Sequence, residues 1–196
     1  MSEENNSTKE IGRGIIRKGI GEILMLIEGG KLRADLEETP QRVVNALEEM
    51  LDGYETDIGS LFKTFDGEGK DMIVAVKDIE FTSLCEHHLL PFSGVAHVAY
   101  LPVERVIGAS KIPRLVLAYA HRLQLQERIT RQVAETLMEK LEPQGVAVII
   151  EATHLCMRCR GVKNPTSKLI TSVMLGEFRV NKSLRMEVLS LLGVGQ

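Results

Sequence analysis

The sequence predicts an α+β fold in which an antiparallel sheet is covered on one side by helices. Three observations carry that prediction. Apolar residues alternate with period two near 73–82, 94–101, 145–157 and 168–178, as they do in half-buried strands. They recur with helical spacing over 11–28, 39–51, 110–141 and 183–192. The resulting order is two helices, a hairpin, helices, two strands and a short helix, which lacks the strict strand–helix alternation of a parallel sheet. At 196 residues the chain is one domain, or one domain with an appended helical arm.

The first helix is expected over Ile11 to Glu28, where Ile16, Ile20, Ile23, Leu24 and Ile27 share a face and Gly29-Gly30 supplies a stop. Gly14, Gly19 and Gly21 weaken it by up to ~1 kcal/mol each relative to alanine, so it needs a packing partner. Thr39-Pro40 opens the second helix, with Thr39 expected as N-cap, Pro40 in the first turn, and Val43, Val44, Leu47, Met50 and Leu51 as its apolar face. A loop through Gly67 and Gly69 follows, then a strand made of Ile73 to Val76 and Ile79 to Thr82, which runs into Cys85. Pro91 breaks the chain, and Gly94 to Leu101 returns as the second arm of a hairpin. Ser110 is expected to cap the next helical region, which breaks between His121 and Gln126. Leu125, Ile129, Val133, Leu137 and Leu141 then recur every four residues. Gly145 to Met157 is the strongest strand, and its alternation puts Val146, Val148, Ile150, Ala152, His154 and Cys156 on one side.

The totals exclude some function classes. A net charge of −3 and an isoelectric point near 6.0 argue against a nucleic-acid binder or a membrane-surface protein. No apolar run approaches the ~18 residues of a membrane span, and residues 1–10 are polar, reading as a disordered tail rather than a signal. Three cysteines, an odd and small number, suit the reducing cytoplasm, where thiols serve as ligands or nucleophiles.

Two thiols and three imidazoles, out of three cysteines and five histidines, fall within Cys85-Glu86-His87-His88 and His154-Leu155-Cys156. Cys85 and His88 have the Cys-x-x-His spacing that lets one turn supply two ligands to one ion, and Cys156 could add a third. Three protein ligands on zinc would leave a position for water, whose pKa would fall to about 7. The alternative is a closed structural site with Cys159 as fourth ligand, because Cys156-Met157-Arg158-Cys159 also has metal-ligand spacing. His87 and His154 would be spare imidazoles suited to proton transfer.

Cations stand at two helix starts, where the helix dipole disfavours them: Arg42 at one, Lys111 and Arg114 with Ser110 at the other. Together with Arg158, Arg160 and Lys163 after the last strand of the cluster, they suggest a pocket for a polyanionic small molecule. Gln126-Glu127 offers the acceptor and donor pattern of a guanine edge; equally, Glu127 could be in a surface ion pair with Arg131.

Thr39-Pro40-Gln41-Arg42-Val43, Phe81-Thr82-Ser83-Leu84-Cys85-Glu86-His87-His88, Gly108-Ala109-Ser110-Lys111-Ile112, Gln124-Leu125-Gln126-Glu127-Arg128 and His154-Leu155-Cys156-Met157 occur in that order. In them the chain resembles GTP cyclohydrolase I, the zinc enzyme family that opens GTP to 7,8-dihydroneopterin triphosphate with release of formate. The resemblance implies that Cys85, His88 and Cys156 hold Zn2+ and that water keeps the fourth place. Activated water would attack C8 of the guanine imidazole ring while His87 protonates N7, and a second attack would release formate. His154 would assist opening of the ribose and Ser110 the rearrangement that follows. Gln126 and Glu127 would grip the pyrimidine ring, and Lys111, Arg114, Arg160 and a neighbouring subunit's equivalent of Arg42 would contact the triphosphate.

The resemblance further implies the tunnelling fold, a four-stranded antiparallel sheet with two helices on one side, assembled into a toroidal homodecamer with active sites between subunits. On this reading residues 11–55 are an N-terminal helical arm and 56–196 the catalytic domain of a cytoplasmic enzyme that uses no nucleic acid and no membrane. Cys159 lies where the family would not have a ligand, and the first forty residues match weakly. A related enzyme of the same fold acting on another purine or pterin, and a zinc-stapled interaction module, are the competing functions.

Overall fold

The protein is described by a computed structural model over residues 2–66 and 72–193, with side chains from residue 7 onward. It divides into two compact units, Met1–Leu51 and Asp52–Gln196. The loop expected through Gly67 and Gly69 lies outside the described residues.

The first unit is a helix pair, α1 (Ser2–Ile27) and α2 (Thr39–Met50), in contact with each other. α1 begins at Ser2, so the stretch read as a disordered tail continues the helix instead, and Glu10 pairs with Arg13 one turn on at 3.1 Å. Gly29 and Gly30 end it as expected, both with the positive φ that glycine adopts without strain, 78° and 100°. α2 is capped by Glu38 rather than by Thr39, without a side-chain cap bond. The Glu38 carboxylate instead meets Arg42 at 2.7 Å, which supplies the local anion that a first-turn cation calls for. Ile11, Ile15, Ile23, Leu26 and Ile27 of α1 remain exposed.

The second unit opens with β1 (Thr64–Asp66), followed by the hairpin β2 (Val74–Cys85) and β3 (Pro91–Leu101). β4 (Arg105–Ile107), α3 (Lys111–Ala120), β5 (Leu123–Gln124) and α4 (Gln126–Leu141) lead to β6 (Gly145–His154) and the short turn of helix α5 (Leu155–Arg158). β7 (Leu169–Gly176), α6 (Glu177–Val180) and α7 (Lys182–Leu192) finish it. The main sheet has the order β5-β2-β3-β6-β7, antiparallel throughout except for the two-residue parallel pairing of β5 with β2. β1 and β4 form a separate antiparallel ribbon.

A bulge makes β2 work as a single strand. Val74 and Val76 pack on the helix side of the sheet, and so do Ile79 and Phe81, although an uninterrupted strand would send odd and even positions to opposite sides. The register shifts between Val76 and Ile79, where Asp78 takes a φ of 54° and its N–H donates to His97 Nδ1 at 3.2 Å. The extra residue restores the parity. Gly94 on β3 is required by closeness: a Cβ there would lie 2.0 Å from the Glu151 carbonyl oxygen on β6.

The core forms where the helix side of the sheet meets α3 and α4. Phe81, Phe92, Val98, Tyr100, Val148 and Ile150 pack with Ile112, Leu115, Ile129, Val133 and Leu137, nearly all without exposure. The break between α3 and α4 falls where the sequence predicts it. Ser110 precedes α3 but makes no side-chain cap bond, contrary to expectation. On the opposite side, Phe178, Val188 and Leu192 from α6 and α7 cover Ala99, Leu101, Ala147 and Ile149. Helices therefore cover one side fully and the other only at the end of the sheet where Leu101 pairs with Gly145.

Candidate metal centre

At the other end of the sheet, Phe92 pairs with His154, and there the chemistry-bearing residues gather. β2 ends at Cys85, whose N–H donates to Leu90 O at 2.9 Å while its own carbonyl accepts from His88 N (3.2 Å) and Leu89 N (2.9 Å). That closed turn, with Leu89 at a φ of 52°, brings Cys85 Sγ to 3.6 Å from His88 Nδ1. Cys156 arrives from α5. β6 stops at His154, earlier than the alternation suggests, and the helical turn that follows carries the thiol back toward Cys85.

One ligand atom from each of Cys85, His88 and Cys156 lies within 4.8 Å of the others. Tetrahedral zinc, with Zn–S near 2.3 Å and Zn–N near 2.0–2.1 Å, requires a sulfur-to-nitrogen edge of about 3.6 Å, so the Cys85–His88 spacing fits the ion without rearrangement. Burial, reinforced by the neighbouring Cys85 sulfur, pushes the Cys156 thiol above its ordinary pKa. A bound dication would reverse that preference and favour the thiolate. Cys159 stands outside the group: it is exposed, and its thiol donates to Leu155 O at 2.8 Å.

His87 projects beside this group with its side chain 62% exposed, its ring edge-on to His88 at 6.2 Å. Glu86 lies between His87 and α4, its Oε1 3.8 Å from His87 Nε2. Arg128 on α4 holds both its oxygens, Nη1 to Oε2 at 2.5 Å and Nη2 to Oε1 at 3.1 Å, and keeps the Glu86 carboxyl below the usual carboxylate range. The Glu86 N–H also donates to Gln124 O at 3.1 Å, so the turn is tied to both β5 and α4. This anchor escapes a sequence reading, because Glu86 and Arg128 are 42 residues apart.

His154 is half-buried. Its ring stacks on Phe92, with centroids 4.4 Å apart and planes 4° from parallel, and its Nε2 lies 2.9 Å from Gln126 Oε1. Burial lowers its pKa, and the Glu127 carboxylate opposes that shift. Phe92 carries no chemistry-bearing group, but it is the cross-strand partner of His154, so strand register is the signal that could have found it.

Gln126, expected on the guanine edge, is 0% exposed, and its Nε2 faces Ile150 O (3.0 Å), Leu169 O (3.0 Å) and Thr171 Oγ1 (3.1 Å). It sits in the first turn of α4, beneath the sheet, with both amide hydrogens used inside the fold. Glu127, the next residue, is exposed and forms no ion pair with Arg131 among the described residues. Lys111 is partly exposed at the start of α3, and Ser110, Arg114 and Arg160 are exposed. Among the described residues the three cations of this unit have no side-chain partner. Arg42 belongs to the first unit, where it pairs with Glu38.

No helix among the described residues is long and apolar enough to cross a membrane. The family model described as GTP cyclohydrolase I matches residues 16–193. A protein named GTP cyclohydrolase 1 from Caldanaerobacter subterraneus subsp. tengcongensis is 49% identical over 178 residues, which is 90% of this chain and 95% of that one. Proteins of the same name from a Synechococcus strain and from Neurospora crassa are 46% and 42% identical, covering 98% and 99% of this chain and 84% and 62% of theirs. Among solved structures, that of an archaeosine synthase QueF-Like in the apo form matches with a TM-score of 0.45 at 18% identity, over 53% of this chain and 93% of that one.

Proposed function

This chain belongs to the GTP cyclohydrolase I family, and we propose that it hydrolyses GTP, opening the purine imidazole ring and releasing formate to leave 7,8-dihydroneopterin triphosphate, the first step of pterin and folate synthesis. The observation that carries the reading is the convergence of Cys85, His88 and Cys156 while Cys159 stands apart, with two further imidazoles alongside. A three-ligand set keeps a coordination position for chemistry, whereas a four-sulfur or mixed closed site only staples.

Zinc held by those three side chains would supply Lewis-acid activation of water at neutral pH. The chain's own residues do the rest. His87, exposed next to the ligands, is suited to donate a proton to N7 of the purine as C8 is attacked. Glu127 accepts from the N–H groups of the guanine edge. Lys111, Arg114 and Arg160 offer uncommitted cations to the triphosphate, and Ser110 sits beside the first of them, where it can serve the late rearrangement. Arg42 would act from a neighbouring subunit. The apolar residues that α1 leaves exposed, Ile11 and Ile15 among them, support burial in an assembly, which we take to be the toroidal homodecamer. Residues 11–55 would serve as the arm and 56–196 as the catalytic domain. Three cysteines without a disulfide agree with a cytoplasmic home.

The test is direct. Zinc-loaded protein incubated with GTP is expected to give formate and, after oxidation, a fluorescent pterin in equal amounts. Zinc-loaded, folded protein that releases no formate overturns the proposal.

A further inference from the structure

Gln126 makes four contacts around one carboxamide, and together they fix which way round the group sits. Its nitrogen faces two backbone carbonyls, Ile150 O and Leu169 O, each at 3.0 Å, and the hydroxyl of Thr171 at 3.1 Å. Carbonyl oxygens only accept, so exchanging the amide's oxygen and nitrogen would set oxygen against oxygen at two places in a fully buried site. The Thr171 hydroxyl is engaged a second time by Thr130 Oγ1 at 2.7 Å, and Thr130 donates to Gln126 O at 2.8 Å, which closes the network. Gln126 Oε1 therefore points at His154 Nε2, 2.9 Å away, and an amide oxygen can only accept.

We infer that Gln126 is a positioning residue that fixes the tautomer of His154: it holds the ring hydrogen on Nε2 and leaves Nδ1 as the bare, hydrogen-bond-accepting nitrogen. A neutral imidazole carries one N–H and one bare nitrogen, and whichever nitrogen is tied to an acceptor keeps the hydrogen. Phe92 supplies the second constraint, since a stack with planes 4° from parallel sets the ring plane while Gln126 sets the rotation within it. Turning the ring over would put a C–H against Gln126 Oε1 and forfeit the bond. Nδ1 has no partner among the described residues, so it is the nitrogen left for substrate.

This inference rests on the proposed hydrolysis for what Nδ1 does, but its decisive measurement needs no turnover. In full-length, zinc-loaded protein labelled with 15N in its histidine rings and held above neutral pH, His154 is assigned by comparison with His154→Gln. Its spectrum is expected to show a protonated Nε2 and an unprotonated Nδ1. A ring with the hydrogen on Nδ1, or an even mixture of tautomers, overturns the inference, whatever the activity with GTP. The second arm is kinetic: Gln126→Met, loaded to the same zinc content, is expected to lower kcat by ~10- to 100-fold, the usual cost of losing a partner that orients a working group, with KM for GTP within about twofold. A raised KM with kcat retained would make Gln126 a substrate contact and sink the inference. Should Gln126→Met fail to fold, the spectrum of the unmutated protein still decides.

Discussion

The two ends of the same strands are built in different ways. Where Leu101 pairs with Gly145, both sides of the sheet are dry: α3 and α4 lie over one, and Phe178, Val188 and Leu192 over the other. Where Phe92 pairs with His154, one side is packed, and the strands run out into a thiol, imidazoles and a buried carboxamide. The first end has apolar area to bury and nothing to react. The second keeps polar groups in place with hydrogen bonds and a ring stack, and these hold geometry with little net stabilisation. Stability and chemistry are thus segregated along the strand direction, about ten residues apart.

Substitutions can break that segregation or sharpen it. The largest effect is expected at the chemical end: Cys156→Ser should lose bound metal and fall to background turnover, while Cys159→Ser keeps both, as read by metal analysis beside formate release. Equal metal loss in the two variants would return Cys159 to the ligand set. His87→Ala should follow, keeping its metal but losing on the order of 10²- to 10⁴-fold in rate, the range for removing a general acid. At the dry end the signature reverses. Phe178→Ala, at 0% exposure, should cost about 3–5 kcal/mol in a denaturant titration, yet leave metal content and turnover per folded molecule near the parent's.

The smallest effect belongs to the anchor of the ligand turn. Arg128 lowers the pKa of Glu86, so that pair contributes stability above the unfolded carboxyl pKa and loses it as pH falls through the lower, folded value. Arg128→Gln removes the shift. It should lower stability slightly near neutrality and move acid-induced loss of metal to slightly higher pH, followed by titrating metal release. An unchanged acid profile would mean that the turn is held by its backbone bonds alone.

Much of this was legible in the amino-acid order because it follows from local periodicity. The four-residue recurrence from Ile129 to Leu141 became the packed side of α4, and alternation from Val146 to Ala152 became the helix side of β6. Cys85 and His88 could be paired from spacing alone, since one turn is a local object. Helix starts were less readable: Thr39 and Ser110 are good capping residues by type, yet Glu38 precedes α2 and Ser110 makes no cap bond. A cap needs a backbone geometry that residue type favours without dictating.

Gln126 marks the boundary. Its neighbours in sequence say only that it opens an amphipathic helix, and a polar residue there is expected in water. That it lies beneath the sheet depends on where α4 crosses β6 and β7, and its partners Ile150, Leu169 and Thr171 are 24 to 45 residues distant. By itself the sequence determined the four long strands, the main helices, the ligand turn and the family, because each is written in short-range spacing or in residue type. Tertiary structure alone decided that Cys159 turns away, that Arg128 grips Glu86, and that a carboxamide faces His154, because each is settled by which distant groups happen to meet once the helices are laid across the sheet.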